Sequence, residues 1–464
     1  MTFLIPLTLL GWFPVVLFLY HHLPPQRALI ISFIAAFLFL PVFDYAIPGL
    51  PPYNKMSATC YATVIALLFY DLGRFKAFRP SLVDIPMVLW CSAPFIASVT
   101  NGLGPYDGFR SASETIAVWS VPYFLGRVYL NDLSGLRQLA IGIFAGGLLY
   151  APLCLIEFKM GPFLHAKIYG IASNNAAFMQ STRKGGYRPV LFTVHGLSVA
   201  MWMMAATLIG FWLWRSGTLK HFWNISMKWL VCLLVFILVI IQSVGALLYF
   251  VVSLVALFTA KKLQAPILVL LLIWTISSYL YVATTGTFDG DRIVNFFSTT
   301  VNPERAQSLE YRFDQEKLLV TKARQRMMFG WAGKGRARIY DEWGKDLAIT
   351  DSWWIIVFGS NGVFGLASGT VVLLLPAILF SFYYPARIWG DPRVAPAAAI
   401  TLILVCYMID NLLNAVTMPV FILATGGLSG LMATHLEGNN LGGNGISLSV
   451  ADNFLSESSK TPRY

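Results

Sequence analysis

The chain has 464 residues, of which 57% are hydrophobic and only 12% are charged, and its mean hydropathy is +0.66. Charged residues make up about 25% of a typical soluble domain, so the composition excludes a soluble globular protein and indicates a polytopic membrane protein. The formal net charge is +11. We assign part of this charge to cytoplasmic loops and part to the attraction of an anionic ligand.

Two features of the chain narrow the class further. The first apolar run, from Thr2 to Tyr20, lacks a basic leader and a small-residue cleavage site, so we expect it to remain as a membrane span. The cysteines all lie in apolar segments and none forms a CxxC motif, which predicts small hydrophobic side chains and not a disulfide frame or a metal site. They are Cys60, Cys91, Cys154, Cys232 and Cys406.

Apolar runs of about 20 residues predict membrane-spanning helices. The chain is therefore expected to be an all-α polytopic membrane protein with about 12–13 transmembrane helices. We divide it into a helix bundle (1–283), a long and partly helical polar loop (284–350), further transmembrane helices (351–434) and a disordered tail (435–464). The predicted spans are 2–20, 28–46, 54–70, 83–100, 113–130, 137–157, 188–214, 228–242, 244–260, 266–283, 362–384, 396–410 and 416–433.

Lysine and arginine in the short loops predict the orientation of the bundle. Loops 71–80, 215–228 and 261–265 are basic and alternate correctly with one another, so we place them in the cytoplasm. Loops 158–187 and 284–350 are also basic but fall on the opposite side. Binding an anion explains this exception, although long loops also cross the membrane regardless of charge.

The end of loop 158–187 carries the first candidate site. It reads Ser181-Thr-Arg-Lys-Gly-Gly-Tyr-Arg188-Pro189. Proline suits the first turn of a helix, so Arg188 is expected at a helix N-terminus, where free N–H groups favour anions. His195 would then lie two turns deeper on the same face. An ionisable residue inside a span is a functional candidate; the alternative is a neutral histidine bonded to a neighbouring helix.

The long loop carries the second candidate site. Its segment 303–328 is predicted to be a helix, on which Arg305 and Arg312 share a face. After it, glycines alternate with Lys334 and Arg336, which lets backbone amides and cations approach a phosphate. The alternative is an amphipathic surface helix whose charges are only solvated.

Polar residues at the edges of the last spans complete the set of candidates. Asp351 and Ser352 precede an apolar run, so Asp351 is either a helix cap or a carboxylate facing the arginines. Asp410 and Asn414 lie one turn apart and are expected to face the protein interior, in a structural or cavity-lining role.

In its order of features from about Pro122 to Gly430, the chain resembles the superfamily of O-antigen ligases and O-antigen polymerases. The features that carry the resemblance are Pro122-Tyr-Phe-Leu-Gly-Arg127, Tyr187-Arg188-Pro-Val-Leu-Phe-Thr-Val-His195-Gly, Ser243-Val-Gly-Ala-Leu, the loop with Arg312, the turn from Gly330 to Gly335, and Asp351-Ser-Trp-Trp-Ile-Ile-Val-Phe-Gly-Ser-Asn-Gly-Val-Phe-Gly-Leu. In the third of these, Val244 stands where the family has an arginine.

The resemblance implies a metal-independent, GT-C-like glycosyltransferase of the bacterial inner membrane that uses no cofactor. Such an enzyme takes a saccharide from undecaprenyl pyrophosphate at the periplasmic face. By motif position Arg188 and Arg312 would bind the pyrophosphate, and Arg305, Lys334 and Arg336 are further candidates. No Asp-x-Asp motif or histidine cluster in the sequence suggests a metal.

A departure from the family bears on the reaction type. Ligases of the superfamily usually have His-Asn where this chain has Asp351-Ser352, and that histidine is thought to activate the acceptor. A polymerase for exopolysaccharide or O-antigen therefore fits better, with Asp351 or His195 as the base. Expected partners are the lipid-linked saccharide, the bilayer, a flippase and a chain-length regulator, but no nucleic acid. A ligase is the first alternative, and a transporter or flippase of the same lipid is the second.

Overall fold

A computed structural model describes residues 3–47, 51–174, 181–183, 185–287, 290–300, 303–333, 335–348 and 352–441. In chain order the α-helices are α1 (Leu4–His22), α2 (Pro25–Phe39), α3 (Lys55–Tyr70), α4 (Leu72–Ala77), α5 (Ile85–Thr100), α6 (Pro105–Thr115), α7 (Val121–Tyr129), α8 (Leu133–Met160), α9 (Leu164–Tyr169), α10 (Gly196–Arg215), α11 (Met227–Ile240), α12 (Val244–Leu263), α13 (Ile267–Thr285), α14 (Asp291–Thr300), α15 (Pro303–Arg324), α16 (Trp353–Tyr383), α17 (Ala395–Leu413) and α18 (Pro419–Leu441).

Short elements connect these helices. A π-helical segment, Ile116–Ser120, joins α6 to α7, and 3₁₀ turns occupy Leu82–Asp84 and Ala386–Ile388. In the described residues, each β-strand has two residues. Strand β1 (Thr182–Arg183) pairs antiparallel with β2 (Gly186–Tyr187), and β3 (His221–Phe222) pairs antiparallel with β4 (Ile225–Ser226).

The chain is a helical, multi-pass membrane protein. Within the described ranges, 9 helices are long and apolar enough to cross a bilayer. Three shorter apolar helices, α2, α3 and α11, lie where further spans were predicted. The predicted division at Gln242-Ser243 is confirmed, because α11 ends at Ile240 and α12 begins at Val244. Gln242 has a left-handed φ of 53°, which no continuous helix allows.

Helices α10, α17 and α18 form the centre of the bundle. Of the residues in the most apolar stretch of each helix, 89% are buried inside the protein in α10 and α17 and 83% in Pro419–Glu437. The buried fraction is only 22% in α1 and 33% in α13. Helix α17 packs against α8, α10, α12, α13, α16 and α18. The outer helices therefore present apolar side chains to lipid, while α17 can hold polar groups away from it.

Glycines allow α7 and α18 to approach closely. A Cβ at Gly126 would collide with the backbone of Leu423, and one at Gly426 would collide with the backbone of Tyr123. Small residues are the usual means of close packing between membrane helices. This contact fixes α18, and with it the turn between α17 and α18.

A buried ion pair fastens α7 at the end of the bundle opposite the long loop. The Nε atom of Arg127 donates to Asp84 Oδ1 at 2.8 Å, and its Nη2 donates to Oδ2 at 2.9 Å. Tyr123 donates its hydroxyl hydrogen to the same carboxylate at 2.9 Å. The motif around Arg127 is therefore structural in this fold.

Helix α16 is broken at Gly362, which has φ 66° and ψ −167°. We call the parts before and after this residue α16a (353–361) and α16b (363–383). Only glycine adopts this backbone conformation at low cost. The predicted span 362–384 corresponds to α16b, and α16a is an additional half-helix.

The two parts of α16 fold back on each other. A Cβ at Gly369 in α16b would lie 2.9 Å from Cη2 of Trp353, the first residue of α16a. Sixteen residues of straight helix would separate these positions by about 24 Å. Trp353 also packs against the rings of Trp90 and Trp119, at centroid distances of 5.7 and 5.9 Å. The N-terminus of α16a therefore points into the bundle.

The predicted start of the span 188–214 was wrong, because α10 begins at Gly196. The backbone N–H groups of Val190 and Leu191 donate to the Glu157 carboxylate at 2.9 and 2.8 Å, and Leu191 has a φ of 52°. An N–H held by a side chain and a left-handed φ both oppose a helix here. Segment 188–195 is consequently an ordered, non-helical entry to α10.

The helical part of the last segment is longer than expected. Helix α18 continues through His435 to Leu441, although the tail from 435 was expected to be disordered. Tyr384 and His435 share a hydrogen bond of 2.9 Å between the hydroxyl and Nε2, which holds this turn of α18 against α16b. Residues 442–464 lie outside the described part of the chain.

Candidate functional site

Helix α15 lies against the last turns of α13 and runs in the same direction. Tyr279 contacts Glu316, and Gly286, just after α13, lies against the guanidinium of Arg324. Glu316 therefore lies about 9 Å below the end of α13, and Arg312 one turn further in. The buried residues Leu319, Val320 and Ala323 face the bundle. The alternative, an amphipathic surface helix whose charges are only solvated, was wrong, because Glu316 is buried and Arg312 binds the end of α17.

Glu316 is a buried carboxylate at the centre of this contact, with 7% of its surface exposed. Its Oε2 accepts a hydrogen bond from the Tyr279 hydroxyl at 3.0 Å. Its Oε1 accepts bonds from the Ser352 hydroxyl at 2.8 Å and from Nε1 of Trp354 at 3.3 Å. Burial raises the pKa of the Glu316 carboxyl, and these hydrogen bonds and the charge of Arg312 oppose that rise.

Arg312 reaches the end of the central helix α17. Its Nη1 donates to the carbonyl oxygen of Leu413 at 2.8 Å. Among the described residues Arg312 forms no ion pair, although both Glu316 and Asp410 interact with it electrostatically. A guanidinium has five N–H donors, so Arg312 keeps donors with which to bind an anion.

Asp410 and Asn414 face the interior, as predicted, with 6% and 7% of their surfaces exposed. Nδ2 of Asn414 donates to Asp410 Oδ1 at 2.7 Å. Tyr249, from α12, lies beside Asp410 and interacts with it electrostatically. The hydrogen bond from Asn414 orients the buried carboxylate, which provides a second acidic group beside Arg312.

The N-terminus of the half-helix α16a closes the site. The backbone N–H of Trp353 donates to the carbonyl oxygen of Asn414 at 3.1 Å, and the Ser352 hydroxyl binds Glu316. The amide dipoles of a helix favour negative charge at its N-terminus. Broken helices that present such ends are a recurring way to bind anions within membrane proteins.

We call these residues the inner cluster: Arg312, Glu316, Ser352, Asp410 and Asn414. They come from α15, from the start of α16a and from α17 with the turn after it. The cluster combines a cation with open donors, a helix N-terminus and two carboxylates. Chemically, it can bind an anionic group and exchange a proton beside it.

Arg188 lies against the N-terminus of α10, although it does not belong to that helix. A Cβ at Gly196 would come within 2.6 Å of Cδ and 2.8 Å of Cγ of Arg188, so the arginine stem crosses the first residue of the helix. Arg188 is 8% exposed, and its backbone N–H donates to Ser181 at 2.7 Å. The side chain thus reaches a helix N-terminus through tertiary packing.

His195 is the N-cap residue of α10 and does not lie two turns inside a helix. The backbone N–H of Leu197 donates to Nδ1 of His195 at 3.1 Å. In a neutral imidazole one ring nitrogen donates and the other accepts. Because Nδ1 accepts here, the neutral form of His195 carries its proton on Nε2 and offers a hydrogen-bond donor there.

The two arginines lie at the same end of the bundle. Arg188 packs on the start of α10, Arg312 binds the end of α17, and α10 packs against α17. We call this the loop end, because segment 284–350 is attached to it. Asp351 and Lys334 lie outside the described residues. Arg305 belongs to α15, but its side chain lies outside the described part.

Arg336 lies in a separate open pocket of about 610 Å³. The pocket is lined by Lys322, Trp331, Gly335, Arg336, Arg338, Ile339 and Tyr340. Lys322 follows Arg312 by ten residues on α15, a rise of about 15 Å. The structure therefore places Arg336 away from the inner cluster.

Sequence reasoning missed two carboxylates that organise the site. Glu316 looked like one charge among many on a solvated helix, and Glu157 lay inside a predicted span. Glu157 is 1% exposed and accepts four backbone N–H bonds, from Phe163, Leu164, Val190 and Leu191. The sequence signal for Glu157 was an isolated carboxylate in an apolar run, because such a group needs a specific hydrogen-bonding partner.

Neither a protein-family model nor a curated protein gives a significant match to this chain. Within the described ranges, no group of three or more histidine, cysteine, aspartate or glutamate side chains is placed to hold a metal ion.

Proposed function

We propose that the protein is a membrane glycosyltransferase of the polymerase type. It would transfer a saccharide from undecaprenyl pyrophosphate to a sugar hydroxyl at the periplasmic face of the bacterial inner membrane, in a GT-C-like arrangement. The observation that carries the proposal is the position of Arg312. Arg312 lies at a level inside the bundle, below the end of α13, and binds the end of α17. Its remaining N–H donors lie beside the N-terminus of α16a.

The bond that breaks joins the anomeric carbon of the donor sugar to the pyrophosphate oxygen. Its electron pair leaves with the pyrophosphate, so negative charge develops on that oxygen. Arg312 and the dipole of α16a are suited to stabilise this charge, because planar guanidinium donors bind phosphate oxygens in pairs. Arg188, whose side chain packs on the start of the neighbouring α10, is the second candidate for the same group.

The new bond forms between the acceptor hydroxyl oxygen and the anomeric carbon, and the hydroxyl proton must go to a base. His195 is poorly suited, since its Nδ1 already accepts the Leu197 N–H. Asp351 keeps the role of base. Its neighbour in sequence, Ser352, donates its hydroxyl hydrogen to Glu316 at 2.8 Å.

The lipid part of the donor needs access from the bilayer. Helix α13, which carries Tyr279 against Glu316, has only 33% of its span buried inside the protein. A polyprenyl chain can therefore lie along this outer face while its pyrophosphate enters the site from the side. Arg312 is compatible with this depth because its guanidinium contacts polar groups of the protein and not lipid.

The proposal is tested by reconstituting the purified protein in liposomes with an undecaprenyl-pyrophosphate-linked repeat. Products are separated by length, and the saccharide ladder of cells with and without the gene is compared. The proposal predicts a ladder of lengthened lipid-linked chains that depends on the protein. Unchanged single repeats in both assays would contradict it.

A transporter of lipid-linked saccharide is the second candidate, and specific observations favour it. The broken helix α16 and the buried Asp410 on α17 are features that transporters use for substrate and ion sites. In the same liposomes, a transporter would move the intact lipid-linked repeat across the bilayer. It would form no new glycosidic bond.

A further inference from the structure

The pocket around Arg336 lies at the level where the membrane spans end. Nδ2 of Asn101, the residue after α5, donates to the carbonyl oxygen of Gly330 at 2.8 Å. The carbonyl oxygens of Met327 and Met328 accept hydrogen bonds from the first residues of α16b at 2.8 and 3.1 Å. The chain entering the pocket is therefore bound to the ends of two spans, which is the depth of lipid headgroups.

The charge of the pocket suits a phosphate group. Arg338 is ion-paired with Asp346 at 2.6 Å, so Lys322 and Arg336 supply the net positive charge. Within the described chain neither of these two forms an ion pair. Nζ of Lys322 lies 4.1 Å from the ring centroid of Trp331, whose Nε1 donates to the Lys322 carbonyl oxygen at 2.9 Å. This double contact fixes the cation at the pocket wall.

A short hairpin beside the pocket exposes apolar side chains. Its backbone is closed by bonds from Leu347 to Ile339 at 2.9 Å and from Asp341 to Lys345 at 3.0 Å. Trp343 stands at its tip with 91% of its surface exposed, and Leu347 is 51% exposed. Tryptophan concentrates at membrane–water interfaces, and large exposed apolar side chains mark a contact surface.

We propose that this pocket binds the phosphate of an anionic phospholipid headgroup, and that Trp343 anchors the adjoining hairpin in the same leaflet. Basic pockets at the ends of membrane helices bind such headgroups, and aromatic side chains fix the depth of insertion. The site is separate from the inner cluster and does not depend on the proposed reaction. An acidic saccharide has similar charge, but the exposed Trp343 and the span ends favour a lipid.

Native mass spectrometry of the full-length protein from vesicles of mixed phosphatidylglycerol and phosphatidylcholine tests the headgroup site. We expect preferential retention of phosphatidylglycerol. A Lys322→Gln, Arg336→Gln variant should lose this preference, by roughly fivefold for each charge removed. Lys317→Gln, on the exposed face of α15, is the matched control and should retain it. Equal retention of both lipids, or an unchanged double variant, would overturn the proposal.

Two further measurements distinguish a bound lipid from other ligands of the pocket. Vesicles with lipids brominated on their acyl chains should quench the part of the tryptophan fluorescence that Trp343→Phe removes. No quenching of that part would reject the anchor. Displacement of phosphatidylglycerol by tetragalacturonate, but not by maltotetraose, would assign the pocket to an acidic saccharide and overturn the lipid proposal.

Discussion

The guanidinium of Arg312 donates a hydrogen bond to the carbonyl oxygen of Leu413 at 2.8 Å, across 101 positions of sequence. This contact joins the polar segment 284–350 to the central helix of the bundle. It places a cation at the point where α17 ends and α16a begins. The loop is therefore part of the bundle at the site and not a separate domain above it.

Replacing Arg312 should abolish polymer formation while leaving the protein inserted. We expect Arg312→Ala to lower the rate of chain lengthening by roughly 100-fold, the usual cost of removing a donor that stabilises developing negative charge. Arg312→Lys should recover little, because lysine lacks the planar fork. Lys317→Ala, exposed on the same helix, is the control. Full activity of Arg312→Ala would remove the loop from the chemistry.

Glu316 should make stability depend on pH in a defined direction. Burial raises the folded-state pKa above the unfolded one, so folding favours the protonated carboxyl. Its stabilising contribution is present below the unfolded pKa and is lost as pH rises through the folded pKa.

We therefore expect the Tm advantage of the wild type over Glu316→Gln to be larger at about pH 4 than at about pH 7. The measurement is thermal unfolding of the purified protein in detergent. A constant or growing advantage as pH rises would contradict the assignment.

The break in α16 should tolerate no side chain. Gly362→Ala would place a methyl group against the backbone of Met328 at a φ of 66°. We expect a loss of about 3 kcal/mol or more in unfolding free energy, seen as aggregation or a lowered Tm in detergent. Gly245→Ala is the control, since its Cβ would lie 3.7–3.8 Å from the hydroxyl oxygen and two ring atoms of Tyr249, an ordinary van der Waals contact. Equal stability of the two variants would mean that the break is not required.

The orientation of the bundle is tested by labelling. In a cysteine-free background, Ser298→Cys should react with a membrane-impermeant reagent from the periplasmic side and Ser456→Cys only after the membrane is opened. The basis is the alternation of basic loops along the chain. Reaction of both positions from one side would reject the orientation.

The sequence was sufficient to predict where most spans lie, because about 20 apolar residues must cover the bilayer. The division before Val244 was also predictable, since Gln242-Ser243 interrupts a run too long for one helix. The way α16a folds back along α16b could not be predicted from the sequence. It depends on backbone bonds between segments 327–332 and 359–364, and no local pattern specifies such pairing.

The candidate site was predictable only in part. Arg312 and Asp410 could be found as an arginine in a polar loop and an acid in a span. The role of Glu316 could not be predicted. Its hydrogen-bond donors Tyr279 and Ser352 lie 37 and 36 residues away, and neighbouring charged residues on α15 look alike in sequence. The helical start at Pro189 was a plausible local pattern that Glu157 overrides from another helix.

The most direct test of the central claim is the product of Asp351→Asn in cells that make the saccharide. The substitution keeps the shape of the side chain but removes its basicity. We predict that the lipid-linked single repeat accumulates and long polymer is lost. Accumulation of long polymer on its lipid carrier would contradict the polymerase and indicate a ligase, and wild-type output would show that Asp351 is not the base.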